Sequence, residues 1–229
     1  MAKVKFSALI SEMRNKLNGS VFSRNRGGSY LRTKVTPTNP QTAAQVAARS
    51  LLTSFSQSWR GLTEAERDSW RSVVDQWSTT DVFGDVINPS GATLYIRLNI
   101  NISIAGGSPI TSPPTPTGAA ALTDISLTAT FTGDVFDVTF APTPVPTTHA
   151  MYIETTPMIS PGINNANSRF RNIVVAAAAV ASPIDAFGDQ VAKFGGLVVG
   201  QKAFVRAKFI RTDTGEVSQK LVADTIVGA

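Results

Sequence analysis

The chain has 229 residues, of which 42% are apolar, 8% aromatic and 16% charged, and it contains no cysteine. This length suffices for one large domain or two small ones, and the composition excludes a collagen-like, coiled-coil or wholly disordered protein. A disulfide framework and a thiolate metal site are also excluded, and the single histidine, His149, leaves little imidazole chemistry. Composition therefore argues against an enzyme.

Charge is distributed unevenly along the chain, although the formal net charge is only +5. Residues 1–60 contain ten basic residues and one acidic residue, so the remainder is net acidic. A basic leading segment suggests an arm that lies on an anionic surface, such as nucleic acid, a membrane or an acidic protein. The alternative is a basic face that is simply solvated.

Residues 19–36 consist of two short alternating runs on either side of a glycine-containing turn, which predicts a β-hairpin. In the second run Tyr30, Arg32 and Lys34 share one face, because strand side chains alternate with period two. The candidate partner interface combines these residues with the cations of the turn: Arg24, Arg26, Tyr30, Arg32 and Lys34. Residues 4–17 fit both a helix and an extended strand, so their structure is left open.

The next segment predicts a first helix that ends near Gly61. Asn39 can cap its first turn, and Pro40 suits the first helical position. Thr42 with Gln45 offers an alternative capping box.

A second helix is expected to begin at Thr63, which forms a capping box with Glu66. All three tryptophans of the chain lie on this pair of helices, at Trp59, Trp70 and Trp77. An aromatic stripe at helical spacing is more often packing than a ligand site. The tryptophans therefore predict a small core between antiparallel helices.

Residues 94–104 alternate strictly between apolar and polar side chains, which is the pattern of a strand. In contrast, Ser90 can cap a helix and Gly106 can end one. The alternating run is also longer than a mean strand of about 5–6 residues. A helix is favoured, with a strand as the alternative.

The predicted fold class is α+β, in three parts. Residues 1–107 form a basic arm with a β-hairpin and a small helical unit, which together make an anchoring domain. Residues 108–117 are rich in proline and uncharged, which predicts an extended linker at a domain boundary. Residues 118–229 contain about seven short alternating runs with turn signals, which predict a β-sandwich of the immunoglobulin or fibronectin type III kind.

No catalytic or metal-binding motif accompanies these elements. The phosphate-binding glycine loop, the zinc-binding His-Glu motif and the calcium loop are all absent from the sequence. His149 follows a proline-rich loop and is interpreted as an ordinary surface or strand-edge histidine. The longest apolar tract, residues 173–181, is far shorter than the roughly 20 residues of a membrane span. The sequence predicts no catalytic residue, cofactor, metal, small-molecule substrate or membrane partner.

The leading segment resembles a poorly characterised group of proteins encoded by tailed bacteriophages and prophages. The shared motifs are Gly-x-Val-x-x-Arg-Asn-Arg from Gly19, Tyr-x-Arg-Thr from Tyr30, and Asn-Pro-x-Thr-x-x-Gln from Asn39. The similarity covers about residues 14–77 and fades over the predicted sandwich. Proteins of this group are thought to be virion components, so the resemblance implies a virion location, other virion proteins as partners and many symmetric copies. It transfers no catalytic residue.

Three functions follow as hypotheses. The first is a structural virion protein of the head, neck or tail, held by its basic segment and displaying the sandwich. The second is a DNA-binding or packaging-associated protein that places Arg24, Arg26, Arg32 and Lys34 on phosphates. The third is a host-surface adhesin, which only the type of domain suggests.

Overall fold

The computed structural model describes residues 2–7, 9–25, 28–36, 38–80 and 85–229. Helices combine with several antiparallel sheets, which confirms the α+β class. The chain divides into two compact units, residues 1–46 and 47–229, and each is described by itself. Among the described residues, no helix has both the length and the apolarity that a membrane span requires.

The first unit is a four-stranded antiparallel sheet built around the predicted hairpin. Its strands follow the order β1-β4-β3-β2 and are β1 (Ala2–Lys3), β2 (Asn15–Leu17), β3 (Ser20–Asn25) and β4 (Gly28–Thr33). β2 turns into β3 through Asn18, whose φ of 50° lies in the left-handed region that asparagine tolerates. The segment left open at 4–17 therefore ends in a strand.

None of the described residues of the first unit is buried. Leu9, Leu17 and Val35 are 96%, 61% and 70% exposed. A sheet is stable when one of its faces is covered by another layer, and within the described residues of this unit no layer covers either face. The first unit therefore has no hydrophobic core of its own.

Three α-helices and a small hairpin follow the first sheet. They are α1 (Ala43–Gly61), α2 (Glu64–Ser72), a 3-10 turn (Val74–Trp77), the strands β5 (Thr79–Thr80) and β6 (Val86–Ile87), and α3 (Gly91–Ile104). Ser90 caps α3 by accepting a hydrogen bond from the Thr93 N–H. This segment is therefore helical, in spite of its strand-like alternation.

The helix caps explain where α1 and α2 begin. Thr63 and Glu66 form a capping box, in which the Glu66 carboxylate accepts from the Thr63 N–H at 2.8 Å. The cap predicted at Asn39 is not found, because α1 begins only at Ala43. Gln41 has a φ of 48°, which a helix cannot include, so the helix cannot extend back to Asn39. The alternative cap is used instead, with the Thr42 hydroxyl accepting from the Gln45 N–H at 3.4 Å.

The tryptophans pack around Tyr95 of α3. The Trp59 and Trp70 rings lie 5.5 Å and 5.3 Å from the Tyr95 ring, and the Trp70 contact is edge-to-face. Trp70 is completely buried, and its indole N–H donates to the Thr111 carbonyl at 2.7 Å. Trp77 is buried in the same cluster. The tryptophan core thus includes a third helix, which the prediction of a two-helix core did not contain.

Two further antiparallel sheets share one hydrophobic core. Their strands are β7 (Asp124–Thr130), β8 (Val135–Ala141), β9 (His149–Thr155), β10 (Arg171–Ala176), β11 (Ile184–Asp185), β12 (Lys202–Arg211) and β13 (Leu221–Ile226), with α4 (Phe187–Phe194) between β11 and β12. The strand orders are β11-β8-β7 and β10-β9-β12-β13. Alternate residues of both sheets meet in the core, among them Phe136 and Val138 of the first sheet and Met151, Ile153 and Phe209 of the second.

Residues 108–117 contain neither helix nor strand, and hydrogen bonds hold both ends of the segment. The Ile110 N–H donates to the Asn99 side chain at 2.7 Å, and the Thr117 N–H donates to the Glu216 carboxylate at 3.1 Å. The helical segment and the two sheets belong to one compact unit, which starts at residue 47 rather than beyond this segment. The three-part division at 108–117 stays a prediction.

Two glycines allow the helical segment to contact the sheets backbone to backbone. A Cβ at Gly107 would lie 2.2 Å from the Thr212 carbonyl oxygen, and a Cβ at Gly215 would lie 2.4 Å from the Leu98 carbonyl oxygen. Gly215 also has a φ of 73°, which side-chain-bearing residues rarely adopt. Beside this contact, the Asn101 amide donates to the Gly215 carbonyl at 2.9 Å.

We expect Gly107→Ala and Gly215→Ala each to lower the free energy of unfolding by about 1–3 kcal/mol, because the added methyl group must displace backbone. Gly188→Ala is the matched control, since Gly188 lies in α4 with open space around its Cβ position. Alanine is favoured over glycine in a helix by up to about 1 kcal/mol. Chemical denaturation of the three variants checks this, and equal midpoints for Gly107→Ala and Gly188→Ala would contradict it.

Candidate functional site

Three cations and a tyrosine share one face of the first sheet. Lys3 pairs with Tyr30, and Val21 pairs with both Lys16 and Arg32. Directly opposed residues lie on the same side of a sheet. We call the surface formed by Lys3, Lys16, Tyr30 and Arg32 the cationic face.

The cations of this face have no ionic partner among the described residues. The three side chains are exposed, and the described ion pairs of the first unit both involve Glu12 instead. Arg14 lies 2.8 Å and Arg24 lies 3.7 Å from that carboxylate. The cationic face is therefore positive without internal neutralisation.

The five predicted interface residues do not all share this surface. Tyr30 and Arg32 lie on the cationic face, whereas Arg24 pairs with Ser29 and so lies on the opposite side of the sheet. Lys34 is exposed just beyond β4, where its N–H donates to the Gly19 carbonyl at 2.8 Å. Arg26 lies outside the described residues. Strand pairing thus places Arg24 and Arg32 on opposite sides of the sheet, so the predicted interface residues are divided between its two faces.

Sequence reasoning missed Lys3 and Lys16. β1 has two residues and β2 has three, so both are too short to show an alternation of apolar and polar side chains. Only pairing with the hairpin brings them beside Tyr30 and Arg32. A net charge of +9 over residues 1–60 was the one signal that pointed to further cations here.

His149 is a buried structural residue, not a surface one. It is 4% exposed, and its Nε2 accepts from the Ala120 N–H at 3.0 Å while Nδ1 lies 3.0 Å from the Thr148 hydroxyl. Burial lowers the pKa of His149, and Arg211 lowers it further, against the opposing effect of Asp213 and Glu216. The imidazole is thus held neutral, with both nitrogens engaged inside the fold.

No cluster of three or more His, Cys, Asp or Glu residues that could hold a metal ion is found in the described part of the chain.

No family model matches the chain, and no curated protein matches it. A solved Fn3-like protein from Clostridium thermocellum is similar to 49% of this chain over 97% of its own length, with 11% identity and a TM-score of 0.31. A β-1,2-glucanase from Parabacteroides distasonis is similar to 50% of this chain over 14% of its own length, with 12% identity and a TM-score of 0.29. Similarity at this level transfers no function.

The neutral state of His149 predicts a pH dependence of stability. Since the folded-state pKa is lowered, stability is fully present above the unfolded pKa of about 6.5 and is lost as the pH falls from there through the folded pKa. We expect His149→Gln to remove this loss, because a glutamine oxygen can still accept from Ala120 without titrating.

Chemical denaturation of the wild type and of His149→Gln at about pH 7.5 and pH 5 measures the effect. The carboxylates with lowered pKa values, Asp213 and Glu216, lose their contribution only under more acidic conditions. An equal loss of stability in both proteins over this range would contradict the assignment to His149.

Proposed function

We propose that the chain is a structural component of a bacteriophage virion, held to neighbouring subunits by its first unit and displaying an immunoglobulin-like β-sandwich. The observation that carries this proposal is that the first sheet buries none of its described residues and yet collects unneutralised cations on one face. The resemblance of residues 14–77 to virion proteins of tailed phages supports the same function.

Energetics indicate that the first sheet needs a partner. Burial of apolar surface supplies about 25 cal/mol per Å², and no described residue of this sheet is more than partly buried. Ordering each residue costs about 1–2 kcal/mol of backbone entropy. A segment with this imbalance gains its order from the surface that it binds.

Charge indicates what kind of surface the partner offers. Lys16 and Arg32 both oppose Val21, so two like charges flank one residue across the sheet. Two exposed like charges separated by one strand repel each other weakly, and an opposite charge on the partner surface relieves this repulsion. A carboxylate-rich surface of a neighbouring virion protein supplies that charge, and Arg32 can bind it through two parallel hydrogen bonds.

The strand orders β11-β8-β7 and β10-β9-β12-β13 support an immunoglobulin or fibronectin type III topology for the two sheets. In chain order, the second strand pairs with the first and the fifth. The third pairs with the fourth and the sixth, and the sixth also pairs with the seventh. Both sheets contribute to one shared core, as in a sandwich. Such a module suits display on a particle.

Incorporation into particles tests the proposal. We expect the double variant Lys16→Ala/Arg32→Ala to unfold at the same temperature as the wild type but to be strongly depleted from virions, because truncating a buried interfacial charge pair costs about 2–5 kcal/mol. Quantitative mass spectrometry of particles purified from the phage or prophage that encodes the chain gives the occupancy.

The matched control is Arg169→Ala/Lys193→Ala, which removes two exposed cations from the second unit. It should be incorporated normally. Absence of the wild-type protein from intact virions would end the proposal, and normal incorporation of Lys16→Ala/Arg32→Ala would show that the cationic face is only solvated.

DNA binding is the second candidate, because the cationic face combines cations with Tyr30, and cations with aromatic rings are typical of nucleic-acid surfaces. If its three cations each contact one phosphate, log Kd should change with log salt by about 0.9 per phosphate, or about 3 in total. We expect Lys16→Ala/Arg32→Ala to lower this slope by about 2 in fluorescence-anisotropy titrations. A slope that does not change, or no binding at low salt, would exclude this candidate. The adhesin hypothesis stays a prediction.

A further inference from the structure

A cleft of about 340 Å³ lies in the second unit, between α3 and the turn that connects β12 to β13. Arg97 and Asn101 line its α3 side, at the helical spacing that places two residues on one face. Gly118 and Glu216 line the opposite side, and the Trp77 indole forms part of the wall. This volume is at the lower end for ligand sites, which span about 300–1,000 Å³.

Arg97 is a half-buried cation without a partner. No described residue forms a hydrogen bond or ion pair with its guanidinium, whereas the other partly buried arginines, Arg67, Arg206 and Arg211, each have a carboxylate within 3.1 Å. Burial lowers the pKa of Arg97, and no nearby carboxylate opposes this effect. Its five N–H donors therefore face the cleft region unused.

Glu216 does not neutralise Arg97, although both line the cleft. The Glu216 carboxylate accepts from the Gly118 N–H at 2.9 Å, from the Thr117 N–H at 3.1 Å and from the Thr214 hydroxyl at 3.0 Å. Burial alone raises the pKa of Glu216, but these hydrogen bonds outweigh it and hold the pKa below its usual range. Glu216 is thus ionised and already satisfied by the backbone that it clamps.

Trp77 provides a second unused donor near the same place. Its indole N–H is buried and has no acceptor among the described residues. Buried polar groups are paired in the great majority of cases, so an orphaned donor on a residue that lines the same cleft as Arg97 needs an explanation.

We propose that this cleft binds a carboxylate group, with Arg97 as its main ligand. A carboxylate matches the planar guanidinium through two parallel hydrogen bonds and brings the single negative charge that the cation lacks. A phosphate fits less well, because the ionised Glu216 in the same cleft repels a doubly charged anion more strongly than it repels a singly charged carboxylate. The size of the cleft suits one acidic side chain of another chain or one small free acid.

Nuclear magnetic resonance of the full-length chain tests this site. The chain has three tryptophans, and the variant Trp77→Phe identifies which indole N–H signal belongs to Trp77. The probes are acetate, the blocked peptide acetyl-Gly-Glu-Gly-amide and inorganic phosphate, all titrated at constant ionic strength. The matched neutral probe is acetyl-Gly-Gln-Gly-amide.

We expect a saturable shift of the Trp77 signal with a carboxylate probe and none with the glutamine peptide. A response to the peptide alone assigns the cleft to an acidic side chain, whereas a response to acetate assigns it to a free acid as well. Arg97→Gln should weaken binding by about tenfold or more, and Arg97→Lys should weaken it less, since lysine keeps the charge but loses the fork. Arg169→Gln, which removes an exposed arginine far from these lining residues in sequence, should bind like the wild type.

Arg97→Gln is expected to fold, because the wild-type guanidinium has no partner to lose. If Arg97→Gln does not fold, the affinity of Arg97→Lys for the carboxylate probes is compared with that of Arg169→Gln. The proposal then requires weaker binding by Arg97→Lys. Three outcomes would each overturn the proposal. The first is that neither carboxylate probe gives a saturable Trp77 shift, and the second is that the Arg97 variants bind as tightly as Arg169→Gln. The third is that phosphate binds more tightly than acetate.

Discussion

The close approach of α3 to the β12–β13 turn is the contact on which the second unit depends. Gly215 lies so near the Leu98 carbonyl that no Cβ fits between them, and Gly107 lies equally close to Thr212. Hydrogen bonds from Asn101 to Gly215 and from Thr117 to Glu216 surround this contact. The proline-rich segment is therefore fixed at both ends instead of acting as a free spacer. The cleft lies beside this backbone contact, where the α3 residues Arg97 and Asn101 face Gly215 and Glu216.

The sequence predicted the α+β class and the first hairpin because these depend on local patterns. It favoured a helix for α3 but kept a strand as the alternative, because the apolar residues alternate strictly. The buried positions follow helical spacing, but they include Tyr95 and Asn99, while apolar residues such as Ile96 and Ile100 are only partly buried. Leu94, Leu98 and Ile102 are buried, but so is the polar Asn99. The Asn99 side-chain amide donates to the Ile110 carbonyl and accepts from the Ile110 N–H. The junction with the sheets could not be predicted, since it rests on backbone contacts between residues about a hundred positions apart.

The candidate interface was predicted in part for the same reason. Alternation within β4 correctly places Tyr30 and Arg32 on one face, because period two is a property of a single strand. It says nothing about the register between strands, so the side of the sheet on which Arg24 lies could not be predicted and Lys16 was not found. Arg97 was missed for a different reason: an arginine within an alternating run looks like an ordinary exposed residue, and only the burial of its surroundings distinguishes it.

Unpaired cations have different consequences in the two units. Arg32 is exposed, so water solvates its charge and the sheet loses little by leaving it unpaired. Arg97 is half-buried, so it loses part of its hydration on folding, and no described carboxylate compensates for this. Arg206 differs, because it is also partly buried but binds Glu154 at 2.8 Å and lies 4.3 Å from the Phe170 ring. The partly buried Arg206 is thus paired within the fold, whereas the partly buried Arg97 has no partner and lines an open cleft.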